Sequence, residues 1–240
     1  MSGHSKWATT HRQKAIVDAK RGAIFTKFAN LISIAAKQGG DPDANPSLRS
    51  AIDRARDVSM PKDNIERAIK KGTGELGGDQ VEELYYEGIG PAGIQVIVKC
   101  LTDNRNRSAS TIRHAFTKNN GSFGSVMWNF KQTGVIMLSQ EVLDSEKINF
   151  DEFELELIDN GANDIVKADE GLTIYTVLSD FQKMQDYLKT CNLKVESAEI
   201  EYVAKEKVNL SSEDQETCDK FLEEMDDNED VSACFTNIAD

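Results

Sequence analysis

The 240-residue sequence predicts an α+β protein: a helical N-terminal domain followed by two α/β domains of ferredoxin-like, split βαβ type, one inserted in the other. Three observations predict it. Apolar residues recur at helical spacing through the first 72 residues. Beyond a glycine-rich connection they fall in short strand-like runs interleaved with helices. The last stretch then supplies a helix and a strand that an earlier β-β-α-β unit lacks.

Between Asp18 and Lys37, the residues Ile24, Phe25, Phe28, Leu31, Ile32, Ala35 and Ala36 form one apolar stripe, which Gly39-Gly40 ends. A second helix has Asn45 as N-cap, Pro46 in its first turn and Leu48, Ala51, Ile52, Ala55 and Val58 on one face. A third starts at Pro61 to Asp63, where Asp63 and Glu66 resemble a capping box, turns Ile65, Ala68 and Ile69 inward and stops at Gly72. Residues 73–80 are glycine-rich and lack periodicity. Strands follow at Glu83 to Glu87 and Ile94 to Leu101, a helix at Arg105 to Asn119, and a strand at Ser125 to Phe130. From Gly134 the order is strand (Val135 to Leu138), helix (Phe150 to Asn160), strands near Asp164 to Lys167 and Leu172 to Leu178, helix (Asp180 to Thr190) and strand (Val195 to Val203). Glu152 to Leu157 alternates with period two, but its length and the Asp159-Asn160-Gly161 stop favour a helix. The tail gives a helix at Ser212 to Met225, an acidic turn at Asp226 to Asp230, read as solvated, and a strand at Val231 to Ile238. The expected domains are therefore 1–78, 79–132 completed by 206–240, and an inserted 133–205.

Composition narrows the class. With 39% hydrophobic and 29% charged residues and only four prolines, the chain is neither disordered nor fibrous. No apolar run approaches the roughly 20 residues that cross a bilayer, so no membrane partner is expected. The opening Met-Ser-Gly-His-Ser-Lys-Trp has no signal-peptide core. The four cysteines are scattered without a CxxC, which together with that opening points to reduced thiols in the cytoplasm. Two GxGxxG matches, Gly72 to Gly77 and Gly88 to Gly93, fail as dinucleotide fingerprints. The first follows a helix, and the second lies between two strands as a hairpin turn. No phosphate loop, nucleophile elbow or zinc helix is found, so the sequence predicts no enzyme, no cofactor, no metal and no small-molecule substrate.

Charge is arranged in blocks. Residues 1–72 carry 14 Lys and Arg against 7 Asp and Glu. Residues 73–140 carry six of each, and residues 141–240 carry 8 against 28, within a total of −13. A basic module joined to an acidic one is the pattern of a polyanion binder that solvates itself elsewhere. Lys6, Trp7, His11, Arg12, Lys14, Lys20, Arg21 and Lys27 gather before and within the first helix, and Lys62, Arg67, Lys70 and Lys71 decorate the third. Such arrays bind phosphate backbones, and a tryptophan can stack on an unpaired base. The simpler readings are a Trp7 stapled to the helical core and lysines that complement a helix C-terminus. Arg105 and Arg107, at a strand-to-helix turn that Asp103 or Asn104 caps, form a second patch with Arg113 and His114 beside a helix N-terminus.

The motifs Gly3-His-Ser-Lys-Trp7, Asp18-Ala-Lys-Arg-Gly22, Gly39-Gly-Asp-Pro-Asp43, Met60-Pro-Lys-Asp-Asn-Ile-Glu-Arg, Tyr86-Glu-Gly88, Cys100-Leu-Thr-Asp-Asn-Arg-Asn-Arg107 and Arg113-His-Ala-Phe-Thr-Lys118 closely resemble the YebC/PmpR family. The resemblance covers essentially the whole chain. It implies one helical and two α/β domains and a non-enzymatic regulator of gene expression. The family is generally described as DNA-binding transcriptional regulators. A competing view makes it a ribosome-associated translation factor on ribosomal RNA, and its mitochondrial relatives are translational activators of a cytochrome oxidase subunit. The expected partner is thus DNA or the ribosome, bound by a monomer. The loop Asn119 to Val126 is about three residues shorter than the family pattern, which bears on any contact it makes.

Overall fold

The computed structural model describes residues 21–146 and 148–239, with Arg21 described in its backbone only. The elements are helices α1 (Arg21–Ala36), α2 (Pro46–Asp57) and α3 (Lys62–Thr73), then β1 (Glu82–Ile89), β2 (Gln95–Thr102), α4 (Arg105–Lys118), β3 (Ser122–Phe123) and β4 (Phe130–Ser139). There follow α5 (Gln140–Ser145), α6 (Phe150–Asp159), β5 (Ala162–Ala168), β6 (Gly171–Thr176), α7 (Leu178–Thr190), β7 (Ser197–Ala204), α8 (Ser212–Asp226) and β8 (Val231–Thr236). The architecture is α+β, with a helical N-terminal region and two regions built on β-sheets.

The helical region closes around Ile32, Ala36, Leu48, Ile52, Ala55, Ile65 and Ala68. One buried side chain joins its first two helices. The Asn45 carbonyl accepts the Leu48 amide at 3.0 Å, and the Asn45 side-chain amide donates to the backbone oxygens of Ala35 at 2.9 Å and Gly39 at 2.8 Å. It thereby satisfies groups left open at the end of α1 and the start of α2. The expected capping box at Asp63 does not form. Pro61 sits at the N-cap, so Asp63 is already inside the helix, and Glu66 turns to Lys62 at 3.5 Å. Helices α1 and α3 touch backbone to backbone: Ser33 Oγ donates to the Ala68 oxygen at 2.9 Å, and a Cβ on Gly72 would stand 2.3 Å from the Ser33 oxygen.

The described strands form two antiparallel sheets, ordered β3-β1-β2-β8 and β5-β6-β4-β7. The chain divides into two compact units, one of 21–127 with 207–239 and the other of 128–206. In the first, Ile94, Val96 and Val98 of the sheet side pack under Ile112 and Phe116 of α4 and Phe221 and Met225 of α8. Helix α1 is tied to the same unit through the buried Asn30, whose amide donates to the Leu101 oxygen at 2.8 Å. In the second unit Ile136, Leu138, Leu172 and Ile174 face Phe153 and Leu157 of α6 and Met184 and Leu188 of α7.

One local expectation is corrected, one element was not foreseen, and the ambiguous period-two stretch is the helix expected. The strand expected at Ser125 to Phe130 is instead a loop and a single helical turn between β3 and β4, where the Glu87 carboxylate takes the amides of Val126 at 2.8 Å and Met127 at 2.7 Å. Helix α5 was not legible as a separate element. The period-two stretch Glu152 to Leu157 is helical, with Phe153 and Leu157 one turn apart and buried while Leu155 is 65% exposed. The hairpin between β1 and β2 turns on Pro91–Gly93, as its glycines suggest.

Gly72→Ala tests the close approach of α1 and α3. Although alanine is the better helix former, the added methyl meets backbone. Urea titration is expected to show a loss of about 1–3 kcal/mol, the usual range for forced overpacking.

Candidate nucleic-acid interface

The basic residues named from sequence fall into three groups. Lys6, Trp7, His11, Arg12, Lys14 and Lys20 lie outside the described residues, as does the side chain of Arg21. Lys62, Arg67 and Lys70 are exposed on α3, where the register places Arg67 and Lys70 one turn apart on the solvent side. Lys62 is shared with Glu66, whereas Arg67 and Lys70 form no ion pair with a described residue. The remaining cations, Lys27, Lys71, Arg105 and Arg107, are engaged within the protein.

The engagement centres on two carboxylates. Lys71 Nζ lies 2.7 Å from Asp103 Oδ2. Arg107 reaches the other oxygen of Asp103 at 3.4 Å and clamps Asp230 with Nη2 at 2.8 Å and Nε at 3.3 Å. The Asp230 side chain is only 3% exposed. The solvated acidic turn read from sequence is therefore corrected at its last residue. A buried carboxylate needs a charge-assisted partner, and a forked guanidinium provides two hydrogen bonds at once. Asn104 caps α4 by accepting the Arg107 amide at 3.0 Å, which points the Arg107 side chain back over Asp103 and Asp230. Arg105 pairs with Glu82. Lys27 donates to the backbone oxygen of Asp226, and burial, partly offset by the Asp226 charge, lowers its pKa. The expected phosphate grip beside the α4 N-terminus thus meets cations already held by the chain's own acids.

The cluster is electrostatically self-consistent. The hydrogen bond from Lys71 holds the Asp103 carboxyl below the usual carboxylate range, with Arg107 assisting. Asp230 raises the pKa of Arg107 still further. Burial pushes the Cys100 thiol up to about 12 and that of Cys218 to about 11, so neither is thiolate at neutral pH. Among the described residues no group of three His, Cys, Asp or Glu is placed to hold a metal ion. Among them, too, no helix is long and apolar enough to cross a membrane.

Sequence reasoning underrated two residues. Asp230 lies 123 positions from Arg107, and no local signal marks it apart from the acids beside it. The other is Arg113, which lies over the Phe123 ring with its guanidinium carbon 5.1 Å from the centroid. Its spacing from Phe116 and the short loop to Phe123 was the available clue.

Comparison with known proteins places this geometry in a family. The model described as "TACO1/YebC protein N-terminal domain" matches residues 5–75, and "TACO1/YebC second and third domain" matches residues 81–238. A "probable transcriptional regulatory protein" from Thermoanaerobacter pseudethanolicus is 43% identical over 99% of this chain and 97% of its own. One of the same description from Geobacter sulfurreducens is 45% identical over 99% and 96%. A crystal structure of a conserved hypothetical protein from Aquifex aeolicus is similar with a TM-score of 0.78 and 36% identity, covering 93% of this chain and 92% of that one.

Because the folded state lowers the pKa of Asp103, this group's contribution to stability is present above the ordinary Asp value of about 3.9 and is lost as pH falls through the folded value. Asp103→Asn is expected to cost about 1 kcal/mol at neutral pH, as for a pair that water still reaches. Its deficit against the parent should shrink as denaturation is measured at successively lower pH below 4; a deficit constant down to pH 2 would disprove the assignment.

Proposed function

The chain belongs to the TACO1/YebC family, and from that premise we propose that it is a nucleic-acid-binding regulator of gene expression that works without catalysis and acts on DNA as a transcriptional regulator. The observation that carries this reading is the exposed cationic side of α3, where Arg67 and Lys70 remain uncommitted although the chain bears a net charge of −13. The N-terminal residues Lys6, Trp7, His11, Arg12, Lys14, Lys20 and Arg21, with Lys62, would extend that surface. Lys27 and Lys71 would serve it indirectly, by tying the helical region to the first sheet and its helices, and Arg105 and Arg107 by fixing the β2 to α4 turn they meet.

Contacts of this kind bind phosphate and position the protein, but they carry no sequence information. The same property favours a second reading, in which the surface rests on ribosomal RNA as part of a translation factor. We further propose three functional domains, 1–78, 79–132 with 206–240, and 133–205. The last is read as ferredoxin-like; the strand order β5-β6-β4-β7 and its antiparallel pairings support that. A monomeric cytoplasmic protein fits this reading.

Filter-binding titrations of the whole chain on duplex DNA at varied salt test it. If about five phosphates are engaged, log K should fall with log salt at roughly −4 to −5, and the double variant Arg67→Gln, Lys70→Gln should reduce the slope by up to about 2. Affinity independent of salt would overturn the reading. Sedimentation of a nuclease-treated lysate separates the two targets, since ribosome co-migration that survives DNase favours translation.

A further inference from the structure

The first sheet ends, at its β3 edge, in a stack that neither the α3 surface nor the ion cluster uses. The rings of Tyr86 and Phe123 lie 5.8 Å apart and 19° from parallel, Phe116 meets Phe123 edge-on at 5.5 Å, and the Arg113 guanidinium covers Phe123 at 5.1 Å. Arg113 is exposed and forms no ion pair with a described residue, which sets it apart from Arg105 and Arg107. At the end of the same helix Lys118 and Asn119 are instead engaged by Glu224, at 2.9 Å and 3.0 Å.

The loop that carries Phe123 is held at several points by β1 and α4. Glu87 holds the amides of Val126 and Met127 through its carboxylate and that of Gly124 through its backbone oxygen at 3.1 Å. The Gly121 amide donates to the Phe116 oxygen at 2.7 Å, and a Cβ on Gly121 would come within 2.5 Å of the Ile89 oxygen. A guanidinium over a phenyl ring that is carried on a pinned loop places an exposed planar cation beside the aromatic stack. Nucleobases stack on arginine planes of this kind, and the charge also favours a neighbouring phosphate.

We propose that Arg113, supported by Phe123 and Tyr86, is a second nucleic-acid contact that takes an unpaired base of a single strand. The site rests on the nucleic-acid reading above and adds single-stranded substrate to it. Single-stranded RNA and DNA share the stacking chemistry, so both are probed.

Fluorescence anisotropy of the full chain with labelled oligouridylate and oligothymidylate of about 12 nucleotides, and with a duplex DNA of equal length, provides the test. Arg113→Gln is expected to weaken binding to at least one single strand by about tenfold, in line with the loss of one stacked base, and to leave duplex affinity within about twofold. Arg113→Lys, which keeps the charge and loses the plane, should behave like Arg113→Gln. An unchanged thermal midpoint of both variants shows that the stack is not merely a lid on the core. Wild-type affinity of Arg113→Gln for both single strands, an equal loss on duplex, or full rescue by lysine overturns the proposal. If the α3 double variant loses binding while Arg113→Gln does not, the proposed function stands and this site falls. If no nucleic acid binds at all, both fall.

Discussion

A carboxylate buried away from water, that of Asp230, sets the terms for much of the first unit. It is tolerated because Arg107 grips both its oxygens, and Arg107 is in turn aimed by the Asn104 cap of its own helix. Asp103 then sees two cations, one from α4 and one, Lys71, from the far end of α3. Through this chain of partners the helical region, the β2 to α4 turn and the approach to β8 are held in one arrangement. The Asp230 backbone oxygen adds to it by accepting the Leu101 amide at 2.8 Å.

The cluster also explains how a chain with a large negative surplus can divide its cations between two tasks. Those that face the protein's own acids are bound by short, directional contacts and serve as fasteners. Arg67 and Lys70 on the outer side of α3 and Arg113 over Phe123 have no such partner among the described residues. A polyanion must compete with intramolecular carboxylates for the first set and meets no such competitor among the described residues at the second. Proximity in sequence does not predict which set a residue joins, since Lys70 and Lys71 are neighbours on one helix and fall on opposite sides of the division.

Much of the secondary structure was legible because short-range physics fixes it. Apolar spacing marked α1 to α3, and Asn45 followed by Pro46 marked a helix start that the structure closes with the expected hydrogen bond. The capping box at Asp63 failed because Pro61 set the helix start two residues too early for it. The strand misplaced near Ser125 meets a long-range contact that no local pattern shows: a carboxylate on β1 takes the amides of Val126 and Met127. The candidate site shows the same division. Composition revealed that cations gather at one end of the chain, whereas which of them remain open depends on partners as far as 199 positions away, the distance between Lys27 and the Asp226 backbone oxygen it donates to. No window of sequence contains that information.

The second sheet interrupts the first, for residues 128–206 are threaded between β3 and α8. Strand β2 therefore leaves the ribosome long before β8, the partner that pairs Val96 with Thr236 and Val98 with Cys234. Until then one margin of β2 offers unsatisfied amides and carbonyls, beside a core that α8 has yet to roof. The nascent chain must keep that margin from promiscuous pairing while it completes an entire intervening fold, so its biogenesis is ordered from the inside outward rather than from first residue to last.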